Sequence, residues 1–275
     1  MRADLLGFLE CPHCHGALRL DGATVRCENR HAFDVARQGY VSLLTGTAPT
    51  GDSASMVAAR AAFLGAGHYD PIVTAVCDAA ELVLAPGPGG CVLDLGAGTG
   101  HHLSAVLDRV EHRWGIALDS SKHAARRAAH AHRRLGAVVC DVWRRLPVRT
   151  GAAALALDVF APRNAAEMRR VLAPGGALVV VTPAPDHLAE LVSEIDLLSV
   201  DERKHHRLYD QFGTPGRTVA CEYRMALPHD DVEALAAMGP AAWHTTAEHR
   251  RERIRSLPDP VTVTASVTVS TYLLR

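Results

Sequence analysis

Lysine is almost missing from this chain. Of its 29 Lys and Arg residues only Lys122 and Lys204 are lysines, so positive charge sits on guanidinium groups, which contact phosphates and bases better than an ammonium does. A GC-rich coding sequence gives the same bias. Net charge is missing too: 29 basic against 30 acidic residues leave −1 and a pI near 7.0. That excludes a uniformly basic nucleic-acid binder, but not a locally basic face. No apolar run reaches the roughly 18 residues that cross a bilayer. The N-terminal MRADLLGFLECPHC carries Asp4 and Glu10 and is too short in apolar residues for a signal peptide. A cytoplasmic chain with no membrane partner is the expectation. At 275 residues and 48% hydrophobic, it is long and apolar enough for one large domain, or a large one with a small appendage.

Seven cysteines are present, three of them within residues 11 to 27. In a reducing compartment such crowding points to a metal rather than to disulfides. The spacing Cys11-Pro-His-Cys14, twelve residues, Cys27-Glu-Asn-Arg-His31 reads as C-x2-C-x12-C-x3-H, and four such ligands close a tetrahedron around zinc. The intervening ALRLDGATVRCE alternates as a hairpin, with Asp21-Gly22 as a type I′ turn pair. His13 and His15 compete as ligands, but His31 is the natural fourth. With every position filled the zinc is structural, and it supplies folding free energy that so small a unit cannot get from its own core. The four remaining cysteines read as buried thiols.

Residues 45–55, TGTAPTGDSAS, read as a linker ending in Asp52 or Ser53 as a helix cap, with helices over MVAARAAFL and about 71–84. Next comes an apolar strand ending in Asp94, a turn with Gly96, Gly98 and Gly100, and a helix from about His101. The glycines let a ligand approach the backbone closely. The dinucleotide fingerprint G-x-G-x-x-G is not met, since position 101 is histidine. A second strand ends in Asp119, placed for ribose hydroxyls, a third in Asp141, near where adenine sits, and a fourth runs through Asp158 to Phe160. A Pro-Gly-Gly turn and a fifth strand follow, and the β-branched 261–272 fits an edge-forming last strand. Strands alternating with helices define an open, doubly wound parallel sheet, with its ligand at the carboxyl ends of the strands.

The D-x-G-x-G-x-G turn resembles the first motif of class I S-adenosylmethionine-dependent methyltransferases. Over almost the whole chain, the CPHC…CENRH knuckle, FDVARQGYVSLL, GDSASMVAARAAFLGAGHYDP, DLGAGTGHHL, APRNAAEMRRVLAPGG and TPAPDHLAEL resemble one family, the 23S rRNA (guanine-N1-)-methyltransferases often called RlmA. The resemblance implies an α/β fold, a Rossmann-like methyltransferase with a small N-terminal zinc-ribbon-like domain. It implies zinc at Cys11, Cys14, Cys27 and His31, S-adenosyl-L-methionine as methyl donor, and a hairpin of 23S rRNA as partner. Tyr69, His102, Leu103 and His187 fall where the family touches the methyl donor. The expected units are a zinc-binding RNA-recognition domain over 1–44, a linker and helix over 45–70, and a methyltransferase domain over 71–275. A homodimer gripping RNA between two knuckles is implied as well. The glycine turn and Ala-Pro-Arg-Asn after strand four resemble the Gram-positive branch, which modifies guanosine 748; the other branch modifies guanosine 745. Some members of the first branch contribute to macrolide self-resistance, because the hairpin borders the drug site.

Guanine N1 carries a proton that must leave before or during methyl transfer, helped by a base or by stabilising charge on O6. Asp158, Phe160 and Pro162 are candidates for the acceptor pocket, with Phe160 stacking on the base; Asp158 pairing with Arg163 is the equally good structural alternative. Residues 101–150 hold ten Lys/Arg against four Asp/Glu, and Arg126, Arg127, Arg133, Arg134, Arg144, Arg145, Arg250, Arg251, Arg253 and Arg255 are candidates to follow an RNA backbone, about half of them serving instead as a solvated face. Two other readings compete. A small-molecule methyltransferase has no evident use for the knuckle, and a zinc-dependent RNA binder with a vestigial fold has no use for an intact glycine turn.

Overall fold

The protein is described by a computed structural model covering residues 1–47, 50–85, 87, 89–192, 194–195, 203–239 and 247–274, with side chains described for all of these except 203–207 and 247. Residues 48 and 49 of the expected linker lie outside the described residues. A short helix, α1 (Ala3–Leu6), precedes an antiparallel sheet of β1 (Leu18–Asp21), β2 (Thr24–Cys27) and β3 (Ala32–Asp34). Asp21 pairs with Thr24, so Gly22-Ala23 is the loop, one residue beyond the Asp21-Gly22 expected. Gly22 takes φ +59 and Ala23 does not take positive φ, the pattern of a type II′ turn, whose first central position wants glycine.

β4 (Val41–Ser42), α2 (Ala54–Gly65) and α3 (Asp70–Leu84) lead into β5 (Cys91–Leu95), α4 (His101–Arg109), β6 (Gly115–Asp119), α5 (Lys122–Ala128), β7 (Leu135–Val139), β8 (Ala153–Val159), α6 (Ala165–Val171) and β9 (Leu172–Pro183). α7 (Ala189–Val192), α8 (Arg203–Phe212), β10 (Arg217–Leu227), α9 (His229–Met238), α10 (Ala247–Arg255) and β11 (Val261–Leu273) complete the chain. Ser53 rather than Asp52 caps α2, its hydroxyl accepting from the Met56 amide at 3.2 Å. Pro174-Gly175-Gly176 lies within β9 as a bulge, where the register against β8 shifts between Leu172 and Ala177.

One eight-stranded sheet runs β10-β11-β9-β8-β5-β6-β7-β4. The strands from β4 to β9 are mutually parallel, whereas β11 runs antiparallel to β9 and β10 antiparallel to β11. The sheet is therefore mixed rather than purely parallel. β11 is not the edge either: β10 covers it along eleven paired positions. RTVACEYRMAL carries a weaker apolar signal because Thr218, Glu222 and Arg224 alternate on its exposed face with the inward Val219, Cys221, Tyr223, Met225 and Leu227.

Side chains alternate between two cores. Val92, Ala117, Val139, Leu157 and Val181 face the helical side with α3, α4 and α9. Leu93, Ile116, Leu118, Val138 and Val180 face the other, and there they share one cluster with Leu5, Leu9, Cys11, Leu18, Val25 and Cys27. The knuckle thus completes its core on the sheet, the physical answer to a unit too small to enclose one. Leu9 bridges Val148, the Arg149 guanidinium donates to the Leu9 carbonyl at 3.1 Å, and β4 pairs with β7.

Candidate functional site

In the knuckle, Cys11, Cys14, Cys27 and His31 bring their ligand atoms within 4.8 Å of one another. Cys14 and Cys27 sulfurs are 3.7 Å apart, and His31 Nδ1 lies 3.4 Å from Cys11 Sγ and 3.3 Å from Cys27 Sγ. A zinc tetrahedron with Zn–S near 2.3 Å has S···S edges of about 3.8 Å, so this donor set fits zinc. His13 instead packs its ring on His31 and Phe33, and His15 faces Glu10 at 3.3 Å. Of the other cysteines Cys77, Cys91 and Cys140 are buried, but Cys221 is only partly so.

The glycine turn sits at the carboxyl edge of β5. Gly96, Gly98 and Gly100 all hold positive φ, and a Cβ on Gly96 would lie 2.8 Å from the Ala161 side chain. Asp119 at the end of β6 accepts from the Gly98 amide and the Ser121 amide, both at 2.8 Å, and burial raises its pKa. Asp94 is buried in the same strand-end row, its pKa well up through burial and the charges of Asp119 and Asp158. Asp141, after β7, accepts from the Trp143 amide at 3.0 Å and faces Arg144 at 3.3 Å. His102 and Leu103 lie in the first turn of α4, where amides have no intrahelical acceptor. The Leu103 side chain points into the core, and burial lowers His102 to about 3.

The segment expected to be a linker is pinned across this turn. Ser121 Oγ donates to the Asp52 carbonyl at 2.7 Å, and a Cβ on Gly51 would come within 2.9 Å of the Ser121 amide. Arg60 of α2 bonds Asp52 and the Met238 carbonyl and packs against Gly98.

On the β8–β9 side an aromatic cluster forms from distant positions. Tyr69 Oη lies 3.3 Å from His187 Nε2, and His187 Nδ1 accepts from the Ser266 amide at 3.2 Å. Burial drives His187 down to about 4, so at neutral pH it is the Nε2–H tautomer and donates to Tyr69. Phe160 stacks on His187 at 5.8 Å, stands 6.2 Å from Tyr69, and is 41% exposed. Its φ of +55 is one that bulky residues rarely adopt. Nothing in the local sequence signals it. Asp158 is fully enclosed and faces Arg163 Nε at 3.1 Å, without an aligned hydrogen bond. Burial pushes its carboxyl up to about 7, against the pull of Arg163. Pro162 lies exposed on the same turn.

The arginines divide. Arg134 bonds the Val110 carbonyl at 2.8 Å and that of Leu107, closing the end of α4. Arg145 is taken by Glu10 at 2.8 Å, Arg251 by Glu233 at 2.7 Å, and Arg250 is buried. Arg126, Arg127 and Arg133 are exposed, with no ion pair among the described residues. Arg126 and Arg127 line, with His101, His130 and Gln38, a cavity of about 720 Å³ between α2, α4 and α5, beside rather than over the glycine turn.

Residues 9–46 match the family described as RlmA, N-terminal, and residues 92–176 match the methyltransferase domain family. The chain is 49% identical to the 23S rRNA (guanine(748)-N(1))-methyltransferase of Streptomyces fradiae, over 98% of this chain and 97% of that one. It is 48% identical to a putative 23S rRNA (guanine-N(1)-)-methyltransferase of Micromonospora griseorubida, over 99% of both. A protein of Bacillus subtilis with the same description, YxjB, is 30% identical over 86% of this chain and 87% of its own. Among solved structures, that of the MccD protein superposes with a TM-score of 0.50 at 15% identity, over 73% of this chain and 96% of its own, a likeness of fold alone. A zinc knuckle seated on a methyltransferase sheet, with both units matched along their length, identifies the chain as a member of the 23S rRNA (guanine-N1-)-methyltransferase family.

Proposed function

We propose that this protein methylates N1 of guanosine 748 in a 23S rRNA hairpin, with S-adenosyl-L-methionine as donor. The observation that carries this is the 49% identity to the Streptomyces fradiae enzyme across both units. When bound, S-adenosylmethionine supplies a methyl group activated by its sulfonium. Asp119, fixed by two amides, holds the ribose end, and Asp94, Asp141 and the first-turn amides of α4 at His102 and Leu103 frame the rest of the donor. Tyr69 and His187 line the boundary between donor and acceptor. The target guanine, splayed from its helix as N1 chemistry requires, stacks on Phe160, with Pro162 at its edge. Asp158, enclosed and engaged by Arg163, is a positioning residue for the Phe160 turn. The N1 proton then leaves to solvent.

Arg126, Arg127 and Arg133 are among the exposed cations that follow the RNA backbone. A homodimer placing two knuckles on one hairpin, action in the cytoplasm where ribosomes assemble, and a contribution to macrolide resistance complete the reading; they rest on the family resemblance. No helix among the described residues is long and apolar enough to cross a membrane. Primer extension on rRNA from a strain lacking the gene tests the proposal. N1-methylguanine stops the polymerase, so the stop at guanosine 748 disappears on deletion and returns on complementation. A stop lost at 745 instead moves the target by three nucleotides, and an unchanged pattern removes the proposal.

A further inference from the structure

We infer that Trp143 is a stacking platform for an unpaired base of the RNA that neighbours the target guanosine. The inference rests on the rRNA reading above and adds a substrate-positioning residue to it. Trp143 lies in the loop after β7 with 64% of its surface exposed. A single exposed apolar side chain is ordinary. This one differs because both of its backbone polar groups are fixed by side chains. Its amide donates to Asp141 Oδ1 at 3.0 Å, and its carbonyl accepts from Asn164 Nδ2 at 3.1 Å. Asp141 belongs to the donor end of the site. Asn164 is the cap of α6, its Oδ1 accepting from the Glu167 amide at 3.3 Å, and it ends the Phe160–Arg163 turn. The backbone that presents the exposed indole is therefore held from the Asp141 side and the Asn164 side at once.

Its surroundings select the partner. Arg144 reaches the Thr45 carbonyl at 3.3 Å and Asp141 at 3.3 Å while staying 54% exposed, and Arg145, held by Glu10, is 45% exposed. Asn164, which holds the Trp143 carbonyl, ends the turn that carries the exposed Pro162. An exposed indole followed in the chain by the half-exposed Arg144 and Arg145 suits a single-stranded nucleic acid, whose bases stack on aromatic faces while arginines meet the phosphates.

The test uses the full chain and a synthetic RNA hairpin carrying the target loop. Trp143→Ala is expected to raise KM for the RNA about tenfold or more, while kcat, the dissociation constant for S-adenosylmethionine and the melting temperature stay near wild type. Trp143→Phe restores most of the lost KM, and Trp143→Leu, apolar but without a π face, does not. RNA quenches tryptophan emission of the wild type and spares that of Trp143→Phe, a readout independent of how the alanine variant folds. An unchanged KM in Trp143→Ala, or leucine serving as well as phenylalanine, overturns the platform while leaving the rRNA reading intact. A wild type that does not methylate the hairpin, yet binds S-adenosylmethionine, overturns both.

Discussion

His187 is held neutral by burial, with its Nδ1 accepting from the Ser266 amide, and the lowered value fixes the sign of its contribution to stability. Its folded value, about 4, lies below the usual value of 6.5. The unfolded chain therefore takes up the proton first, and stability present above pH 6.5 is lost as the pH falls through about 4. Across that window the loss reaches up to about 3 kcal/mol. Asp158, raised to about 7, works in the opposite direction and loses stability as the pH rises through that value. The useful measurement is hence the difference in melting temperature between wild type and His187→Gln. We expect it to shrink as the pH drops from 6.5 to 4, and a constant difference would contradict the neutral buried imidazole. The places of the glycine turn and of the strand-end acids were legible at this scale, because a turn at positive φ demands glycine and strand ends bearing acids recur in order. The Tyr69–His187 contact was not legible from the residues themselves. Its partners are 118 positions apart, and only the family resemblance pointed to them. Nor does any residue type announce that Phe160 will take positive φ.

The loop between α1 and β1 carries Glu10, whose side chain is nearly enclosed between Arg145 at 2.8 Å, Arg170 at 3.8 Å and His15 at 3.3 Å. Glu10→Gln leaves two guanidinium groups facing a neutral amide. Because Arg145 is 45% exposed and solvent screens it, we expect a loss of only about 1–3 kcal/mol in chemical denaturation, with zinc content unchanged. A variant as stable as wild type would show that apolar packing alone seats the knuckle. Among the elements, β5 to β9 were readable because buried parallel strands are nearly continuous apolar runs. β10 was not, since its outer face is polar, and the last strand was in consequence assigned an edge that β10 occupies. The hairpin turn was misplaced by one residue for a related reason. Asp-Gly and Gly-Ala are both acceptable loops, and cross-strand register decides between them.

At the scale of the molecule, zinc and the methyltransferase sheet share one apolar cluster through Cys11, Cys27, Leu9, Leu93 and Ile116. Calorimetry is expected to show one transition for both units, and a strong chelator to lower its midpoint by about 10 °C. Two transitions, with the larger unmoved by chelation, would mean that the units fold independently. The spacing of cysteines predicted a metal, but no spacing predicts which surface the metal unit will lean on. Charge arithmetic was equally blind, for the +6 stretch mixes arginines that close helix ends with arginines left in solvent. The strap at Gly51–Ser53 carries a further consequence. It joins β4 to α2 and is locked beside the glycine turn by Ser121 and Arg60, so the N-terminal knuckle and the rest of the sheet are not interchangeable parts. Excising residues 71–275 as a stand-alone unit would cut away the Asp52 and Arg60 contacts that brace the glycine turn and Ser121. New target specificity in this lineage is therefore expected to arise by substitution in place rather than by shuffling of modules.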